Sequence, residues 1–156
     1  MIERETALQL MESKIENKNL RKHILAVEAG MIHLADHFGE DANLWGLTGL
    51  LHDLDYNVTA DDAGKHTFIT EEWLKPFNLP AEMIYAIRCH PGHAPCENRL
   101  DWALYATDPT TGFIVACALM HPSKKIINID AEFMLRRFKE KRCAAGATRE
   151  NMAACS

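Results

Sequence analysis

The chain has 156 residues, 47% hydrophobic and 25% charged, with a net charge of −5 when histidine is neutral. That length suits one domain with a real core, and the acidic balance argues against a nucleic-acid surface. No run approaches the roughly 18 uninterrupted apolar residues of a membrane-crossing helix.

The start, Met1-Ile2-Glu3-Arg4-Glu5, is charged and lacks an apolar signal core. Five cysteines, at 89, 96, 117, 143 and 155, make an odd count, and Cys117 sits in an apolar stretch; a reducing cytoplasm is the expected compartment. Strand-like alternation is absent, so the pattern predicts an all-α fold. Residues 3–15 form an amphipathic helix with Ala7, Leu8, Met11 and Ile15 on one face. A longer helix over 18–38 repeats Leu20, Ile24, Val27, Met31 and Leu34 at helical spacing, His23 borders that stripe, and Gly39 ends it. Asp41 caps a third helix running to about Asp53. Residues 55–64 read as a loop, followed by a helix from His66 to Leu74 and another over 80–90 with Pro80 in its first turn. Helices follow over 98–107, 110–120 and 130–142, with Asp108 placed at a helix end or kink by Pro109. The reading is one domain over residues 1–144, with a small, polar, poorly ordered tail over 145–156.

His52-Asp53 is the most informative pair. It lies in the apolar run from Leu47 to Leu54, where an imidazole beside a carboxylate is costly without a partner. A divalent metal satisfies both, since neutral imidazole and ionised carboxylate are ordinary metal ligands. His23, His66, His90, His93 and Asp108 are further candidate ligands, each at a helix end, a break or the edge of an apolar face. Helices that point such groups inward build metal sites in bundle cores. Other groupings read as structure. His33 and His37 have the i, i+4 spacing of ligands but share a polar face with Asp36 and Glu40. Cys89-His90-x-x-His93-x-x-Cys96 lacks the paired spacing of a zinc knot. Arg136, Arg137, Lys139, Lys141 and Arg142 make a solvated basic face.

The order His, then His-Asp, then a distant Asp resembles the HD-domain superfamily of metal-dependent phosphohydrolases. It is carried by His23 in Leu20-Arg21-Lys22-His23, by His52-Asp53 in Leu50-Leu51-His52-Asp53-Leu54-Asp55, and by Asp108 in Ala106-Thr107-Asp108, over roughly residues 18–121. The sequence departs from the pattern where Pro91-Gly92 separates His90 from His93, and where Leu54-Asp55-Tyr56 follows His-Asp. The resemblance implies an HD-domain-like compact helical bundle with the metal site in its core. It further implies one or two divalent ions (Mn, Fe, Co, Ni or Mg). His23, His52, Asp53 and Asp108 would hold the first. His66 and His90, with His93 as a further candidate, would serve a second that Asp53 bridges. The implied activity is phosphohydrolysis of a small phosphate ester, with nucleotides among the candidates, by metal-activated water. Asp55 lies close enough in sequence to orient water or accept a proton. Lys65, Arg88 and Lys124 are phosphate-clamp candidates by charge and proximity. The expected partner is a phosphorylated small molecule, with no nucleic acid and no membrane, and oligomeric state is not legible. Two alternatives stay open: a di-iron oxygenase of the HD type, and a non-catalytic module that binds a phosphorylated ligand.

Overall fold

Two capping side chains set the helices that carry the core. The computed structural model describes residues 2–140, 144 and 147–154. After α1 (Arg4–Lys14), the Asn17 side chain accepts from the Asn19 and Leu20 amides and opens α2 (Lys18–Phe38). Asp41 accepts from the Asn43 and Leu44 amides and opens α3 (Ala42–Leu51). Such caps satisfy amides that have no partner within the helix. Between the two helices Gly39 takes φ 70°, a left-handed turn that folds α3 back along α2. Every α3 residue from Trp45 to Leu51 is buried. A helix apolar all round belongs at the centre of a bundle, and α2 and α7 both pack on α3. α1 is tied to α2 by Arg4, whose Nε and Nη2 donate to the buried Glu28 carboxylate at 2.6 and 2.9 Å.

Close approach of α2 and α3 depends on Gly49. A Cβ there would stand 3.0 Å from both the Glu28 Cα and its amide nitrogen, backbone atoms that cannot rotate away. Gly49→Ala should therefore destabilise the fold by about 1–3 kcal/mol, against the roughly 1 kcal/mol gain that alanine brings to an open helix position. Urea unfolding of the variant checks this; a gain in stability would mean that the two helices separate easily.

Downstream of α3 the described residues hold α4 (Tyr56–Thr59), α5 (Phe68–Leu74), α6 (Ala81–Cys89), α7 (Arg99–Met120), α8 (Ala131–Phe138) and α9 (Arg149–Ala153), with single 3₁₀ turns at Ala63–Lys65, Lys75–Phe77 and Ile126–Asn128. Among the described residues there is no strand, and the chain is all-α. The segment read as a loop contains α4. The helix expected from His66 starts at Phe68, because Thr67 takes φ 70° and His66 leaves helical geometry.

The break expected at Asp108 is absent. Asp108 and Pro109 lie inside one continuous helix, α7, which a capping box between Asn98 and Asp101 opens. Proline removes one helical donor. Next to it the Thr110 hydroxyl donates to the Ala106 carbonyl at 2.6 Å, and the Thr111 hydroxyl to the Asp108 carbonyl at 3.0 Å. By length and composition α7 could also cross a membrane. Here it is the core helix against which α2, α6 and α9 pack.

Cys89 and Cys96, read as thiols of a reducing compartment, pair as a disulfide with Cα atoms 5.9 Å apart, while Cys117 is buried. Within the stretch read as a tail, α9 packs on α7. The Arg149 guanidinium lies 4.8 Å from the Phe113 ring centre and 5.4 Å from that of Phe138, and it donates to the carbonyls of Phe138, Ala144 and Ala147.

Candidate metal centre

Four elements deliver imidazoles to one carboxylate. His52 and Asp53 directly follow the last turn of α3, and both are buried. His23 comes from α2 and His90 follows α6, while His66 comes from the extended residue before α5 and Asp108 from the middle of α7. Asp53 is 5% exposed and its two oxygens face different groups. Oδ2 lies 3.4 Å from His52 Nε2 and 3.8 Å from His23 Nε2, and His23 Nε2 is 3.0 Å from Asp108 Oδ1. Oδ1 lies 3.3 Å from His66 Nε2 and 3.4 Å from His90 Nε2, which are 3.2 Å from each other.

All of these separations except the 3.8 Å between His23 and Asp53 are those of a ligand shell. Donors about 2.0–2.2 Å from one ion stand roughly 2.8–3.6 Å apart in octahedral or tetrahedral coordination. The protonation pattern agrees. His52 Nδ1 donates to the Gly49 carbonyl at 2.7 Å, and His90 Nδ1 to the Ile87 carbonyl at 2.6 Å. His66 Nδ1 donates to Asp55 Oδ1 at 2.7 Å. The Thr111 hydroxyl spends its proton on the Asp108 carbonyl and so accepts from His23 Nδ1 at 3.0 Å. Every imidazole is thus anchored at Nδ1 and turns Nε2 to the cluster, the arrangement that outer hydrogen bonds impose on metal ligands. His52 Nε2 is fully buried with no hydrogen-bond partner. An orphaned acceptor of that kind costs stability unless an ion meets it. Among the described residues, two groups of donors stand close enough to hold a metal ion, His23 with His52 and Asp108, and His52 with Asp53 and His90, and His66 adjoins the second.

Without an ion the charges lean on each other. Burial alone would lift Asp53, but His52, His66 and His90 hold its carboxyl well below the usual range. Burial alone would likewise lift Asp108, and His23 brings it down. Burial drives His52 down, towards the neutral form. Burial opposes charge on His66 too, yet hydrogen bonds to Asp53 and Asp55 carry it up to about 9. His23 is raised against its burial by Asp108 and Asp53.

Other expected site residues lie elsewhere. Asp55 is fully buried, with Oδ1 on His66 and Oδ2 accepting the Thr70 amide at 3.0 Å; both oxygens are engaged, so it positions His66 instead of handling water. Lys65 is 69% exposed and pairs with Asp62. Arg88 pairs with Glu71, and Lys124 is exposed. None of these cations lines the cleft above the cluster. His93 stacks on Phe68 and stands 3.4 Å from Thr67 Oγ1, outside both donor groups. His33 and His37 are exposed, as their polar face predicts. The zinc knot does not form, since Cys89 and Cys96 are bonded to each other and His90 turns to Asp53. His93→Ala and Lys65→Ala should each keep metal content unchanged and turnover within about twofold, as surface changes usually do. A loss of bound metal in either would redraw the site.

Sequence reasoning missed the residues that hold the ligands in place: Thr111, Thr70 and the carbonyls of Gly49 and Ile87. Only Thr111 left a signal, as a polar residue one helical turn after Asp108. The cleft, about 760 Å³, is lined by His23, Asp53, His66, His90 and Asp108 together with Asn19, Tyr56, Tyr105, Thr148 and Asn151, among others.

A helical bundle that gathers four imidazoles around one shared carboxylate defines a metal-binding class of protein. The family model for the HD domain matches residues 20–119, and the chain belongs to the HD-domain family, a superfamily of metal-dependent phosphohydrolases. The chain is similar to Ribonuclease Y from Desulfotalea psychrophila (strain LSv54 / DSM 12343), 30% identical over 95 residues. The match takes in 61% of this chain and spans 18% of that protein's length. No solved structure matches it significantly.

Proposed function

We propose that the protein is a two-metal phosphohydrolase acting on a small phosphate ester. The observation that carries this reading is the division of Asp53 between the two donor groups, with four imidazoles locked at Nδ1 around it. When bound, the ions would activate water and neutralise charge on the phosphate. The protein's own groups do the rest. Gly49, Ile87, Asp55 and Thr111 fix the rings so that little reorganisation accompanies binding. The carboxylates of Asp53 and Asp108 would keep the ions in place, and both line the cleft.

A ribonuclease acts on phosphodiester bonds in RNA. The described residues lining this cleft include no Lys or Arg to hold a polyanion, which supports a small ester over RNA. The same lining favours one second reading, an iron-dependent oxygenase of the HD type, because phosphate pockets usually carry basic clamps. The deciding experiment uses protein purified without chelator or nickel. Metal content is measured first, and then phosphate release from p-nitrophenyl phosphate and a panel of small phosphate monoesters. Phosphate release that depends on bound metal is the expected result. Two irons per chain, oxygen uptake and no phosphate release would replace the reading with the oxygenase.

A further inference from the structure

The Cys89–Cys96 pair takes no part in the chemistry above, yet it encloses one of the ligands. Cys89 is the last residue of α6, fully buried, and His90 follows it directly. Cys96 is half-buried, two residues before the Asn98 cap of α7. The loop between them holds Pro91, which lines the cleft, Gly92 at φ 91°, and His93 stacked on Phe68. His90 itself is tied back to α6, by its amide to the Ala86 carbonyl at 3.1 Å and by Nδ1 to the Ile87 carbonyl at 2.6 Å. Past His90 and beyond the disulfide, the described ties on the loop are the Gly92 amide to the Cys89 carbonyl at 2.8 Å, the Tyr85 hydroxyl to the Pro95 carbonyl at 2.8 Å, and His93 with Thr67 at 3.4 Å. His23, His52 and Asp108 sit on other elements and depend on none of these ties.

We propose that Cys89 and Cys96 form a reversible thiol–disulfide site that controls the ion held by His66, His90 and Asp53; this rests on the two-ion reading above. The oxidised pair pins the end of α6 to the start of α7 and keeps His90 facing Asp53. The reductant is a dithiol. One of its thiolates attacks Cys96 Sγ, the more accessible sulfur; the Cys89–Cys96 bond breaks, and the Cys89 thiolate leaves and takes a proton. The second thiol of the reductant then displaces Cys96, which also takes a proton. The protein disulfide gains two electrons and two protons, and the dithiol becomes a disulfide. Reduction frees the loop and weakens the second-ion subsite, while the first keeps its ligands.

The test uses the full chain in air-oxidised form, in dithiothreitol-reduced form desalted under argon, and as Cys96→Ser. Thiols are counted in denaturant, Mn²⁺ binding is measured by elemental analysis after equilibration, and hydrogen exchange is followed over residues 89–98. Mn²⁺ is chosen because it prefers nitrogen and oxygen ligands to thiolate. The oxidised chain should show at least two thiols fewer than the reduced chain and bind two ions. The reduced chain and Cys96→Ser should both bind the second ion on the order of 10–100-fold more weakly, the usual effect of losing a support behind a ligand. Both should also exchange faster over the loop, and Cys96→Ser should no longer respond to dithiothreitol. An equal thiol count before and after reduction overturns the proposal, as do equal second-ion affinity and equal loop exchange in the two forms. If no form binds metal, the two-ion reading fails separately, and loop exchange still decides whether the pair tethers His90.

Discussion

Asp53→Ala should strip both ions from the protein and lower turnover by about a thousandfold or more. The size follows from the several kcal/mol of charge stabilisation that bound ions supply, at about 1.4 kcal/mol per factor of ten. The breadth of the effect follows from geometry, because Oδ2 serves the His23, His52 and Asp108 group while Oδ1 serves His66 and His90. His66→Ala should lose only the second ion, and His23→Ala should weaken the first far more than the second. Asp53→Asn keeps the volume and removes the charge, so it should also weaken both. Helical content by circular dichroism should survive in all four, since the apolar residues of α3 pack independently of the carboxylate. Elemental analysis of each variant gives the pattern directly. One ion retained at wild-type affinity in Asp53→Ala would show that the carboxylate is not shared.

Much of this site was legible because metal ligands are a chemical signal and helices are a periodic one. His52-Asp53 inside an apolar run could not be satisfied by packing, and the structure puts His52 at zero exposure with an orphaned Nε2. The apolar stripe of α2 placed His23 at the edge of the core, where it is found. What failed did so for definable reasons. Pro109 was read as a break, but a proline costs a helix one donor, and nearby threonine hydroxyls and tertiary packing hold α7 together. Asp55 was read as a group that orients water or accepts a proton because it is near the site in sequence. Its orientation is fixed by Thr70, fifteen residues away, and no local pattern shows that. Lys65 failed for the same reason, with charge and proximity but no face. The Cys89–Cys96 pair was hidden by an odd cysteine count, which says nothing about which two sulfurs the turn at Pro91-Gly92 brings together.

The metal-free protein should lose stability as pH rises from about 6.5 to 9, and over that interval its affinity for the second ion should climb. Both effects come from His66, lifted from 6.5 to about 9 by Asp53 and Asp55 against the opposing effect of burial. A histidine whose folded pKa is raised stabilises the fold fully below its unfolded value. That stabilisation disappears as pH passes the folded value. His23, raised by Asp108 and Asp53, acts in the same direction. His52 is lowered by burial and acts oppositely, so its contribution is lost below 6.5. Asp53, Asp55 and Asp108 are lowered, so theirs disappears only in acid, as each carboxyl takes up its proton. The melting temperature of chelator-treated protein should therefore peak near neutrality and fall towards pH 9. Each second ion must displace the His66 proton, so its affinity should rise about tenfold per pH unit until pH 9 and then level off. Saturating metal should remove the alkaline fall in melting temperature, because the ion takes the place of the proton between His66 and Asp53. A metal-free protein with a flat melting profile from pH 6.5 to 9 would mean that His66 is not held by the two carboxylates.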